Sequence, residues 1–171
     1  MRAAHISWRW LLLLLLPLLH ACSSYAPPKA VAGLSREILI AQMGSPEMER
    51  PADGGSRLEF PRGPYGHQTW FVYLDPAGRA TRAEQVLTEQ NFSRVGVGMA
   101  QDEVRKLLGR PSEIQGLGRA RGEVWSYRYD NYDCRWFQVE LTLEQQVRSA
   151  GYGEPPECLH NDGNLFMLSR R

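Results

Sequence analysis

Gly98-Met99-Ala100-Gln101-Asp102-Glu103-Val104-Arg105-Lys106-Leu107-Leu108-Gly109-Arg110-Pro111 is the stretch that decides the fold. Val104, Leu107 and Leu108 fall at i, i+3 and i+4, one apolar stripe on a short helix. Asp102 and Glu103 open that helix, where its dipole favours negative charge. Gly109 can take the left-handed conformation that ends it, and Pro111 blocks continuation. A looser copy lies upstream: Gly33-Leu34-Ser35-Arg36-Glu37, then Gly44 and Pro46, all at one offset. There Ser35 is the expected N-cap, and Leu39 and Met43 share a face. Trp70-Phe71 recurs as Trp136-Phe137, one residue out of phase, after a slip in the loops. Repeats of this length, in only two copies, predict a duplicated small domain and not a solenoid.

Strands follow each helix. Phe137, Val139, Leu141 and Leu143 alternate with Trp136, Gln138, Glu140 and Thr142, the period of a half-buried strand. The first unit predicts strands at 57–60, 68–74 and 79–87, separated by the turn-rich stretches 61–66 and 75–78. The second predicts them at 124–129, 135–143 and 147–152, with a further short helix at about 89–95 ahead of its main helix. The expected fold class is α+β: two tandem units, each a short helix or helices followed by a three-stranded antiparallel meander.

Composition sets the outer bounds. Of 171 residues 43% are apolar and 23% charged, which excludes a disordered or collagen-like chain. Twenty basic against 19 acidic side chains give no net field to drive nucleic-acid binding.

The N-terminus reads as a targeting segment. Arg2 and Arg9 precede the apolar run 10–19, which is too short to span a bilayer. Leu19-His20-Ala21-Cys22 resembles the lipobox of bacterial lipoproteins, which implies cleavage before Cys22 and a diacylglycerol on its thiol. Two or three acyl chains anchor stably where one does not. Ser23 follows in place of the Asp that retains lipoproteins in the inner membrane, so the family-level rule sends this chain to the outer membrane, facing the periplasm. The Pro27-Pro28 stretch is expected to be a tether reaching roughly 30 Å. The resulting division is a signal peptide at 1–21, lipidated Cys22 and tether at 22–32, units at 33–87 and 88–153, and a tail at 154–171.

Cys134 and Cys158 remain, spaced too far apart for a CxxC motif and without the partners of a zinc set. An oxidising compartment makes a disulfide the expected pairing. A hairpin centred near Glu144-Gln145 places Cys134 opposite about residue 155, within reach of Cys158. That bridge is expected to fold the trailing segment onto the sheet edge.

Asn91-Phe92, Gly98-Met99, Val104, Leu107-Leu108-Gly109, Pro111 and Trp125 together resemble the SmpA/OmlA (BamE-like) outer-membrane lipoprotein domain family. The resemblance implies a non-enzymatic binding or scaffold module serving outer-membrane β-barrel assembly, with the barrel-assembly machinery as partner. Ala100 replaces the family's Ser/Thr helix cap, and the tandem arrangement departs from the family's single unit. Two fused units of this shape also look like the β-lactamase inhibitor proteins, whose paired repeats form one curved sheet. That likeness implies the alternative, an inhibitor-like module binding a periplasmic enzyme.

No catalytic residue, metal site or cofactor is predicted: HExxH, P-loop and GxSxG patterns are absent, and His67 and His160 lack patterned partners. The candidate partner-binding residues are Trp70, Trp136, Trp125 and Tyr127. Core packing and partner contact both fit Trp125 and Tyr127. Trp70 and Trp136, read as equivalent strand positions, would lie on a sheet face left open for a partner.

Overall fold

The computed structural model describes residues 25–119 and 121–158. Cys22, His160 and residues 1–21, expected to be a signal peptide, lie outside the described residues. The chain runs α1 (Arg36–Met43), β1 (Met48–Ala52), β2 (Gly55–Arg62), β3 (Gln68–Leu74), β4 (Ala80–Gln85), α2 (Glu89–Phe92), α3 (Gln101–Leu108), β5 (Glu113–Gly116), β6 (Glu123–Arg128), β7 (Trp136–Leu141) and β8 (Val147–Gly153). Strands β1 to β4 form one antiparallel meander and β5 to β8 another, so the fold is mixed α and β with two four-stranded sheets.

Each sheet has one strand more than the sequence predicts. The additional strands, β1 and β5, are edges. β1 reads Met-Glu-Arg-Pro-Ala and β5 is exposed throughout, so neither shows apolar alternation. Pro51 is tolerated in β1 because an edge strand can spare an N–H. The single curved sheet expected from the inhibitor likeness is absent among the described residues: the two meanders are separate sheets.

The two units are built on one hydrogen-bond plan. Gly33 N donates to Ala80 O (2.7 Å) and Ala80 N to Leu34 O (2.8 Å); Gly98 N donates to Val147 O and Val147 N to Met99 O, both at 2.8 Å. A bulge falls between Tyr73 and Leu74 in one unit and between Glu140 and Leu141 in the other. Gly55 and Gly122 match as well: a Cβ at either would overlap a carbonyl oxygen, of Leu74 or of Leu141.

The helix caps differ. Ser35 Oγ accepts from Ile38 N at 3.4 Å, whereas Ala100 has no side-chain acceptor and relies on Glu103 Oε2 accepting from Ala100 N at 2.9 Å. Ala100 holds the same extended conformation as Ser35. Ala100→Ser is therefore expected to raise the unfolding free energy by about 1 kcal/mol in urea titrations.

Helix α1 buries Leu39 and Met43 against Leu58, Phe60, Val72, Leu74 and Ala80 of the first sheet. Helix α3 buries Val104 and Leu108 against Trp125, Tyr127, Phe137, Val139 and Leu141 of the second. Phe71, on the other face of the first sheet, joins this second core. Arg57 Nη1 donates to Lys106 O at 2.8 Å, and a Cβ at Gly109 would meet Phe71 at 3.2 Å. Helix α3 thus lies between the two sheets, giving the layers α1, sheet one, α3, sheet two.

The expected tether is shorter than read. Val31 is buried in the first core, and Pro27 and Pro28 are half-buried, because apolar surface beside a small core is worth covering.

Cys134 and Cys158 are disulfide-bonded, their Cα atoms 6.4 Å apart. The segment after β8 is expected from the sequence on the sheet edge, but it makes no strand pairing there. It turns across the sheet end, where Arg128 of β6 donates from Nε and Nη2 to the Glu157 carboxylate at 2.9 and 3.0 Å. Replacing both cysteines with serine is expected to lower the unfolding free energy by about 3 kcal/mol, read by thermal denaturation under non-reducing conditions.

Candidate functional site

The equivalence of the two units defines a face that is covered in one and open in the other. On the α3 side of sheet one, two rows of side chains cross the strands: Met48-Glu59-Phe71-Glu84 and Arg50-Arg57-Tyr73-Arg82. The equivalent rows of sheet two are Glu113-Ser126-Gln138-Gly151 and Gln115-Val124-Glu140-Ser149. Phe71 becomes Gln138 and Tyr73 becomes Glu140. The aromatic rings that seat α3 on sheet one are replaced by polar side chains where, among the described residues, no helix packs.

This outer face of sheet two is mostly polar, with Val124 as its apolar member and Ser126 buried beneath Gln138. Gln138 Nε2 donates to Ser126 Oγ at 3.1 Å, and Ser149 Oγ donates to Glu140 Oε2 at 3.1 Å. The hydrogen bond from Arg148 holds the Glu140 carboxyl below its ordinary pKa, so it stays charged. A side chain at Gly151 would point into open space. One end of the face is closed: the Trp136 ring lies 5.0 Å from the Arg128 guanidinium, which also lies 4.9 Å from the Tyr65 ring. Arg128 in turn holds the Glu157 carboxyl below its usual pKa. Trp136 Nε1 is buried without a hydrogen-bond partner among the described residues.

The four candidate aromatics are thus placed apart. Trp125 and Tyr127 are 0% exposed, and so present no surface to a partner. Tyr127 Oη donates to Gly109 O at 3.3 Å, tying sheet two to the end of α3; burial raises its pKa above the ordinary tyrosine range. Trp70 and Trp136 are not equivalent. Register makes Trp70 the counterpart of Phe137, packed against the first core, with Nε1 donating to Gln68 Oε1 at 3.0 Å. Trp136 faces outward but is 7% exposed, under Arg128. Of the four, Trp136 alone belongs to the open face, as its closed end.

Sequence reasoning missed Ser126, Ser149 and Gly151 as parts of this face. The signal was present in the repeat. Pairing Trp70-Phe71 with Trp136-Phe137 is one residue out of register, and a slip of one residue sends every side chain of a strand to the other face.

Between sheet one and α3 lies a cleft of about 510 Å³ lined by Arg50, Arg57, Arg82, Tyr73, Asp53 and Lys106. Its arginines are answered by acids: Arg57 and Arg50 meet Glu59 Oε1 at 2.6 and 3.2 Å, and Arg82 meets Asp53 and Glu84 at 3.2 and 3.1 Å. It is an ion-paired joint between the units. Among the described residues no group of His, Cys, Asp and Glu could hold a metal ion.

These features define a class, a mixed α and β protein of two four-stranded antiparallel sheets, one with a face that no helix among the described residues covers. No family model matches the chain, and no curated protein matches it. Solved structures similar to it include a DUF4309 family protein from Bacillus subtilis, at 12% identity over 77% of this chain and 83% of that one, with a TM-score of 0.30. A "putative beta-lactamase inhibitor protein" from Streptococcus mutans is 13% identical over 71% of this chain and 83% of that one, with a TM-score of 0.32. A cysteine-rich secretory protein from Staphylococcus aureus is 14% identical over 80% of this chain and 48% of that one, with a TM-score of 0.29. The SmpA/OmlA resemblance is therefore corrected: no such family matches, and none of these three structures is described as one. The residues that carried it are explained by folding. Val104 and Leu108 are core, and Gly98 and Gly109 have φ of 85° and 78°, which favour glycine.

Proposed function

We propose that this chain is a non-enzymatic protein-binding module, lipid-anchored through Cys22 to the outer membrane and facing the periplasm. Its binding surface is the outer face of sheet two. The observation that carries this reading is the exchange of Phe71 and Tyr73 for Gln138 and Glu140 on otherwise equivalent sheets. A face that is aromatic where its own helix covers it, and mostly polar where no described helix does, suits a wet interface with another protein. The occupant is an envelope protein, met in the inhibitor-like manner by engaging an enzyme's surface. The two units are tandem copies of one ancestral unit, and the matched hydrogen bonds and bulges support that origin.

A photocrosslinking amino acid at Ser149, on this face, is expected to yield adducts with an envelope protein in living cells. The same probe at Ile38, exposed on α1 at the opposite side of the molecule, is expected to yield none. Equal adducts from both positions, or adducts from Ile38 alone, would refute the assignment.

A further inference from the structure

Three large exposed side chains gather at one end of the molecule, and all are tyrosines. Tyr65 is 73% exposed in the β2–β3 loop, on a turn with φ of 55°. Tyr132 is wholly exposed at the equivalent place in the β6–β7 loop. Tyr25 is half-exposed, its ring 3.6 Å from where a Cβ would stand on Gly63 of the first loop.

The two loops are braced against each other and within themselves. Gln68 Nε2 donates to Asp130 Oδ2 at 2.7 Å, and His67 Nδ1 stands 3.5 Å from Asp130 Oδ1. Asn131 gathers the second loop: its Nδ2 donates to Tyr129 O and Arg135 O at 2.9 and 2.7 Å, while its Oδ1 accepts from Asp133 N and Arg135 N at 3.1 and 3.0 Å. The Cys134–Cys158 bridge closes it.

The covalent chain supplies the occupant. Cys22 precedes Tyr25 by three residues, which span at most about 11 Å when fully extended. Tyr25 is itself seated on the tyrosine end, so an acyl chain on Cys22 brings that end, and no other, to the bilayer surface. Tyrosine is favoured at membrane interfaces, its ring among the acyl boundary and its hydroxyl among the headgroups.

Resting on the lipid-anchor reading, we propose that Tyr25, Tyr65 and Tyr132 form a membrane-contact surface that seats this end of the protein in the headgroup layer of the leaflet holding the anchor. The domain then does not swing on a long tether. The β1–β2 hairpin at Asp53 is held roughly 25 Å away, the length of β2. The open face of sheet two is presented sideways, along the membrane plane.

The experiment uses protein expressed as the full chain, purified from membranes and reconstituted into vesicles of phosphatidylethanolamine and phosphatidylglycerol containing brominated phosphatidylcholine. Three variants, Tyr65→Trp, Tyr132→Trp and Asp53→Trp, are compared with the parent protein, whose own indole fluorescence is subtracted. Several-fold stronger quenching of the indoles introduced at positions 65 and 132 than of that at 53 is expected. Co-sedimentation with vesicles without that difference overturns the seating while leaving the anchor intact. Failure to co-sediment at all overturns the anchor and the seating with it.

Discussion

Trp125→Ala is expected to lower the unfolding free energy by about 3–5 kcal/mol, a large part of the 5–15 kcal/mol that holds a typical domain together. The Trp125 ring is fully buried in the core shared by α3 and both sheets, with Arg105 4.6 Å from its centroid and its Nε1 donating to Glu123 at 2.9 Å. Removing it leaves a cavity that β-sheet backbone on one side and α3 on the other cannot collapse to fill. Urea and thermal denaturation followed by circular dichroism read the loss. A partner anchor on an exposed face would behave oppositely, losing binding with little loss of stability.

Glu59→Ala is expected to cost a comparable amount, about 3–5 kcal/mol. Glu59 is buried, and its Oε1 takes both Arg57 Nη2 and Arg50 Nε. Arg57 is buried too, stacked 3.8 Å over the Phe71 ring and bonded to the backbone of α3 at Lys106. Without the carboxylate, a desolvated guanidinium is left at the joint between the two units. The double variant Arg57→Leu with Glu59→Leu removes both charges and is expected to recover most of the loss. A cost under 1 kcal/mol for Glu59→Ala in the same denaturation assay would show that the joint is not where α3 is held to sheet one.

Much of the architecture was legible in the sequence because local chemistry and tertiary structure agree there. Gly44-x-Pro46 and Gly109-x-Pro111 end helices wherever they stand, and α1 and α3 end beside them. Strand β3 occupies the predicted 68–74, because turn residues bound it on both sides. The pairing of Trp136 with Gly153 continues to place Cys134 opposite position 155, as the hairpin centre implied. What was illegible has one physical origin, in that the deciding neighbours are distant in sequence. Edge strands β1 and β5 carry no alternation because they bury almost nothing. Tyr127 looks like a strand residue on either face until the Gly109 carbonyl is seen beside its hydroxyl. The bulges after Tyr73 and Glu140 are aligned only by register, so the one-residue slip that put Trp70 on the open face beside Trp136 shows only once the strands are paired.

On the proposed function, sheet two works through the face that its sister sheet covers with α3. Gly151 lies in that face with nothing within 4 Å of a built Cβ. Gly151→Trp therefore fills the proposed recognition surface without entering the core. The direct measurement is capture from solubilised envelopes by the parent protein and by this variant, alongside their melting temperatures. The parent is expected to retain a specific envelope protein and the variant to lose it at an unchanged melting temperature. Retention of the same protein by both, at equal yield, would contradict it.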